Sequence, residues 1–202
     1  MRSNSILIIV VVLVGVSLFW LFRPGQSVPE VRNDTIVFFG DSLVAGYGAT
    51  ANNGVVDQLS AQLEKPIINA GVSGDTTTDG LARLDAVLAH DPGLTIILLG
   101  GNDALRKHPI EETEANLRQI IETLQANGSA VVLVGIRSGL IGDRYDTMFE
   151  TLRDEYDLLY VPDALRGLIG RTEYMTDAIH PNDAGYAMLA ERIYEVVAPI
   201  YE

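Results

Sequence analysis

Five short runs, nearly continuous in Ile, Val, Leu and Phe, punctuate the chain: Thr35 to Phe39, Pro66 to Asn69, Thr95 to Leu99, Ala130 to Ile136 and Leu158 to Val161. A strand covered on both faces has this pattern, whereas a half-exposed strand alternates. Between and after the runs, apolar positions recur with helical spacing over about Val55 to Leu63, Thr77 to Ala89, Ile110 to Ala126, Arg144 to Tyr156 and Asn182 to Ala198. In the third of these, Ile110, Leu117, Ile120, Ile121 and Leu124 fall on one face and Glu112, Asn116, Gln119 and Glu122 on another, as in a helix lying against a sheet. Strand and helix in alternation predict an α/β fold, a three-layer sandwich with a five-stranded parallel sheet and helices on both faces. Right-handed crossovers then bring the carboxyl ends of the strands to one edge.

One segment stands outside this alternation. Ile6 to Phe22 is an uncharged run of seventeen residues flanked by Arg2 and Arg23. It is at the short end for a bilayer span and longer than the core of a signal peptide. It leads into Leu18-Phe19-Trp20-Leu21-Phe22-Arg23-Pro24 rather than into small residues, Val14-Gly15-Val16-Ser17 being the weak alternative for cleavage. Trp20 suits a lipid interface, which favours a retained anchor over a removed signal. Arg2 on one side and Arg23 and Arg32 on the other leave the orientation near a tie. Residues 24–33, with two prolines and a glycine, have linker composition. The expected organisation is an anchor or signal segment at 1–23, a linker at 24–33 and one folded domain at 34–202.

The 202 residues, 48% apolar and 20% charged, suit one globular domain and exclude disordered or collagen-like chains. Fourteen Lys and Arg against twenty-seven Asp and Glu leave a net charge of −13. Nucleic acid is therefore not an expected partner, because phosphate binding draws on a basic face. Without cysteine there is no disulfide, zinc–thiolate site or thiol nucleophile.

The first three strands are each followed by small and polar residues: Gly40-Asp41-Ser42-Leu43, Ala70-Gly71-Val72-Ser73-Gly74-Asp75 and Gly100-Gly101-Asn102-Asp103. Ligands of open parallel sheets bind outside the carboxyl ends of the strands, where these loops converge. Ser42, just past a buried strand, is the candidate nucleophile, although a serine there also reads as a helix cap. His180 in Asp177-Ala178-Ile179-His180-Pro181 is the candidate base. Asp177 can reach its Nδ1 and leave Nε2 for Ser42; the same residues also suit a surface loop ahead of a helix opened by proline. Asn102 and Gly74 are candidate oxyanion donors, with ordinary turn chemistry as the alternative. Leu105 and Ile179, with Leu140 and Ile141, either line an apolar groove or pack in the core. Asp41, Asp75 and Asp103 are expected to hold loops rather than a metal, and His90 and His108 to lie on the surface.

Neither Gly-x-Ser-x-Gly nor a P-loop occurs, and Gly46-Tyr47-Gly48-Ala49-Thr50-Ala51 departs from a dinucleotide fingerprint. Taken in order, Gly40-Asp41-Ser42-Leu43, Gly74 in Ser-Gly-Asp, Gly100-Gly101-Asn102-Asp103 and Asp177 to Pro181 resemble the four blocks of the SGNH (GDSL) hydrolases, across essentially all of residues 34–202. The stretches Gly40 to Tyr47, Ser73 to Thr76 with Gly80 to Leu84, and Leu99 to Asp103 are most similar to the bacterial acyl-CoA thioesterase, arylesterase and lysophospholipase branch. The resemblance implies a flavodoxin-like sheet and hydrolysis of fatty acyl esters and thioesters without metal or cofactor. It implies Ser42 as nucleophile, Asp177 and His180 as its partners, and Gly74, Asn102 and the Ser42 N–H as the oxyanion hole. One departure is Ile136-Arg137-Ser138-Gly139, where that branch continues as Ile-Arg-Leu-Pro, so chain-length preference does not carry over. A monomer with its domain facing the periplasm or exterior is expected. The rival readings are a carbohydrate or cell-wall O-acetylesterase of the same fold and a non-catalytic, anchored flavodoxin-like binding module.

Overall fold

The computed structural model describes residues 28–136 and 143–202. The expected anchor segment at 1–23, the first linker residues, and the loop from Arg137 through Leu140 and Ile141 lie outside the described residues. Five strands, β1 (Ile36–Gly40), β2 (Ile67–Gly71), β3 (Leu94–Leu98), β4 (Ala130–Val134) and β5 (Leu159–Val161), form one sheet in the order β2-β1-β3-β4-β5. Every pairing is parallel, with Ile36 of β1 opposite Ile67 on one side and Leu94 on the other. This is the expected α/β three-layer arrangement, with each strand within one or two residues of its predicted place.

The continuous apolar runs have the predicted cause. Successive side chains of a strand point to opposite faces, and in β1, β3, β4 and β5 both faces are covered; β2, at the sheet edge, departs from the expectation, being half-buried with Asn69 exposed. Ile36 and Phe38 of β1 pack with Val55, Val56 and Leu59 of α2 (Val55–Leu63) and with Leu189 and Ile193 of α8 (Asp183–Val197). Val37 and Phe39 face the other way, toward Leu117, Ile120, Ile121 and Leu124 of α6 (Ile110–Ala126) and Phe149 of α7 (Asp143–Glu155). The apolar face expected for Ile110 to Ala126 is the buried one, except that Ile110 itself is half-buried.

Two expectations need correction. The helix expected over Thr77 to Ala89 is two short ones, α3 (Thr77–Ala82) and α4 (Leu84–Leu88), separated at Arg83 (φ −112°, ψ 13°). Arg83 turns inward there: Nε donates to Asp75, Nη1 to the Ala70 carbonyl and Nη2 to the Gly40 carbonyl, at 2.6, 2.9 and 2.9 Å. Helical spacing does not record this demand of one side chain on two strand ends. The polar loops after β1 and β3 are also helical, as α1 (Ser42–Ala45) and α5 (Gly101–Leu105), each too short for a period to register. α1 lies directly on the end of β2: a Cβ on Gly71 would stand 2.2 Å from the Ala45 nitrogen. At the opposite edge, Arg32 and Asn33, within the stretch of linker composition, bond to Asp91, and Asn33 accepts from Thr35.

Candidate active site

The sheet order reverses direction at β1, and the crevice of such a fold opens where the connections from neighbouring strands diverge. Ser42 stands at this point, as the first residue of α1. Asp41 caps that helix: its carboxylate accepts from the Leu43 N–H at 3.0 Å and its carbonyl from Ala45 at 2.9 Å. The cap is thus the residue before the serine, which frees the Ser42 hydroxyl from the capping role. Among the described residues, nothing accepts from the Ser42 N–H.

His180 is brought to the same edge by the loop between β5 and α8. Met175 and Pro181 form an isolated antiparallel bridge, and the Thr176 N–H donates to the His180 carbonyl at 2.9 Å. Within that loop, Asp177 Oδ1 accepts from the Ile179 and His180 N–H groups at 2.9 and 2.8 Å, while Oδ2 lies 2.7 Å from His180 Nδ1. A carboxylate only accepts, so in the neutral ring the proton sits on Nδ1 and Nε2 is the acceptor. Nε2 stands 3.0 Å from Ser42 Oγ, the reach a general base needs. The Ile179 N–H, followed by the His180 bonds, holds the Asp177 carboxyl below the ordinary carboxylate range. Asp177 is therefore ionised and able to stabilise an imidazolium.

Asn102 lies in the first turn of α5, half-buried, with its Nδ2 donating to the Asp75 carbonyl at 2.9 Å and to Asp41 Oδ2 at 3.2 Å. Gly74 is bound through its carbonyl, which accepts from Arg106 at 2.7 Å. Among the described residues, its N–H has no acceptor. Ser42, Asn102, His180, Leu105 and Ile179 line one pocket, together with Asp41, Gly101, Leu43, Ile136 and Leu165. The two apolar candidates thus border Ser42 and His180, and three further apolar residues extend that wall.

The three aspartates hold loops. Asp103, buried, accepts from the Thr77 N–H and hydroxyl at 2.9 and 2.6 Å, tying α5 to α3. Asp75 pairs with Arg83 at 2.6 Å. Asp41 is 2% exposed, and burial pushes its carboxyl up to about 6 from 3.8, the Leu43 N–H pulling the other way. The folded chain then binds this proton more tightly than the unfolded chain, so ionisation of Asp41 lowers stability as the pH rises from about 4 to about 6. Asp41→Asn lacks this dependence. Urea unfolding should show the variant's stability relative to wild type improving by about 3 kcal/mol at most between pH 4 and pH 7. A gap independent of pH would exclude Asp41 as the titrating group.

Sequence reasoning missed Arg83, Arg106 and Tyr47. The Tyr47 ring centroid lies 4.4 Å from that of His180, tilted by 50°. Its one local signal is a large aromatic between two glycines, Gly46 and Gly48.

Comparison with known proteins gives a consistent set of relatives. Residues 38–188 match the GDSL-like lipase/acylhydrolase family. Thioesterase 1/protease 1/lysophospholipase L1 of Escherichia coli (strain K12) is 34% identical over 176 residues, which span 83% of this chain and 85% of that protein. Esterase TesA of Pseudomonas aeruginosa is 34% identical over 183 residues, 85% of this chain and 91% of that one. A crystal structure of TesA superposes with a TM-score of 0.77 at 33% identity, covering 82% of this chain and 99% of that one.

Proposed function

This chain belongs to the GDSL-like lipase/acylhydrolase family and is an SGNH-type serine esterase or thioesterase, and on that premise we propose that Ser42, His180 and Asp177 carry its reaction. The observation that carries the assignment is the continuous line from Asp177 Oδ2 through both imidazole nitrogens to Ser42 Oγ, with contacts of 2.7 and 3.0 Å. Ser42 Oγ attacks the acyl carbonyl as its proton passes to His180 Nε2. The oxyanion is held by the Ser42 and Gly74 N–H groups and the Asn102 amide. The C–O or C–S bond then breaks, and His180 returns the proton to the departing alcohol or thiol. Water attacks the acyl-serine and gives a proton to Nε2; the C–Oγ bond then breaks, Nε2 returns that proton to Ser42 Oγ, and the carboxylic acid leaves.

Leu43, Leu105, Ile136, Leu165 and Ile179 around the pocket favour a fatty acyl chain over acetyl. Each methylene buried there contributes about 0.8 kcal/mol. For nitrophenyl esters, kcat/KM should therefore rise roughly threefold to fourfold per methylene from acetyl until the wall is filled. A preference for acetyl would instead support the sugar O-acetylesterase reading.

In the same proposal Ile6–Phe22 tethers the domain to a membrane, its catalytic edge facing the periplasm or exterior. Trp20 at the exit of the run supports the tether. Among the described residues, no helix is long and apolar enough to cross a membrane. Recovery of the intact chain with the membrane fraction supports the tether, and recovery of a chain shortened past Phe22 refutes it.

A further inference from the structure

The pocket accounts for one half of the substrate, the acyl part. Tyr47 does not line it. Its backbone is nonetheless pinned from both directions: the N–H donates to the Ser42 carbonyl at 3.0 Å, and the carbonyl accepts from the hydroxyl of buried Tyr186 at 2.7 Å. The following residue locks the turn against the His180 loop. Gly48 has φ +93°, a Cβ on it would stand 2.8 Å from the Pro181 carbonyl oxygen, and its own carbonyl accepts from Thr176 at 2.8 Å. A residue whose backbone is held in this way is ordinarily part of the core. The Tyr47 side chain is not: the residue is 54% exposed, and its phenol hydrogen-bonds to no described residue. It thus presents an aromatic surface to solvent from a pinned turn, its ring centroid 4.4 Å from that of the proposed general acid.

We propose that the exposed ring of Tyr47 is the leaving-group subsite of this enzyme, and that it takes a flat apolar alcohol or thiol portion, an aryl group above all, in preference to a small aliphatic one. The assignment rests on the reading of His180 as the group that protonates the leaving atom. That atom must come within about 3 Å of Nε2, which leaves the carbon attached to it close to the imidazole edge. With the acyl chain in the apolar pocket, the departing portion lies outside it beside His180, the residue whose ring Tyr47 contacts. An aromatic leaving group there can meet the ring at the roughly 4.5–7 Å of offset or edge-to-face pairs. A two-carbon alcohol is too small to cover it.

The test compares phenyl and ethyl esters of one fatty acid on the full-length enzyme, in wild type, Tyr47→Phe and Tyr47→Leu. Here kcat/KM reports acylation, the step in which the leaving group is still present, and the intrinsic reactivity of each ester cancels when ratios are compared between variants. Tyr47→Phe should keep the phenyl-to-ethyl ratio of wild type, since the phenol has no partner to lose. Tyr47→Leu should lower that ratio roughly 2- to 10-fold, the range expected for one aromatic pair. An unchanged ratio in Tyr47→Leu, with both esters falling together, would mean that the ring only steadies the imidazole and would overturn the subsite. A second measurement needs no variant. By microscopic reversibility an acceptor alcohol enters where the leaving group departs, so wild-type acyl-enzyme should transfer to benzyl alcohol in preference to ethanol; equal partitioning would overturn the proposal. Failure of a fluorophosphonate to label Ser42 brings down the underlying assignment as well, whereas a labelled, active enzyme that shows neither preference brings down the subsite alone.

Discussion

Ser42→Ala is expected to lose about 10⁵- to 10⁶-fold in kcat, the scale on which removal of a triad nucleophile acts in other serine hydrolases. The size follows from the way the three groups depend on one another. Asp177 sets the tautomer of His180, and the bare Nε2 has one proton to take, that of Ser42 Oγ at 3.0 Å. With alanine at 42 the imidazole has nothing to activate, and water in its place is neither held nor positioned. The same variant should not react with a fluorophosphonate that labels wild type, while its unfolding curve stays close to wild type because the helix cap belongs to Asp41. His180→Ala in the Ser42→Ala background should add little, since the residues act as a unit. Undiminished esterase activity in Ser42→Ala would exclude the proposed nucleophile.

Asn102→Ala is expected to lower kcat by about 10²- to 10³-fold with little change in KM, the effect of deleting one oxyanion donor. In the resting geometry both amide protons of Asn102 have acceptors, the Asp75 carbonyl at 2.9 Å and Asp41 Oδ2 at 3.2 Å. An oxyanion in the pocket competes for the longer of these bonds. The donor is thus held in place before the reaction and turns to the developing charge during it, so its contribution belongs to the transition state rather than to substrate binding. Asn102→Asp should be at least as damaging, because it sets a second carboxylate beside buried Asp41. A rise in KM with kcat preserved would assign Asn102 to ground-state binding.

Much of this was legible along the chain. Continuous apolar runs marked the strands because burial on both faces leaves few polar positions; edge strand β2 was legible from its Ile67-Ile68 pair although it is half-buried and exposes Asn69. The segments at 40–43, 70–75 and 100–103 marked the edge where Ser42 and His180 meet, because tight turns at strand ends select small and polar residues. The break at Arg83 was not legible: the spacing of Thr77 to Ala89 suits one helix, and the reason it divides is a guanidinium reaching the ends of β1 and β2. Nor was Tyr47, whose exposure and ring contact depend on the loop that carries His180.

The sequence alone determined the class of fold, the buried strands and the chemical types available at their ends, because side-chain periodicity and turn chemistry are local consequences of which positions meet water. The tertiary structure alone decided the strand order β2-β1-β3-β4-β5, the contact between Ser42 and His180 across 138 residues of chain, the two acceptors of Asn102 and the exposed seat of Tyr47. Periodicity records that a residue is buried but not by what. The partner is chosen by packing between elements far apart in the chain, where a contact at hydrogen-bond distance leaves no periodic trace.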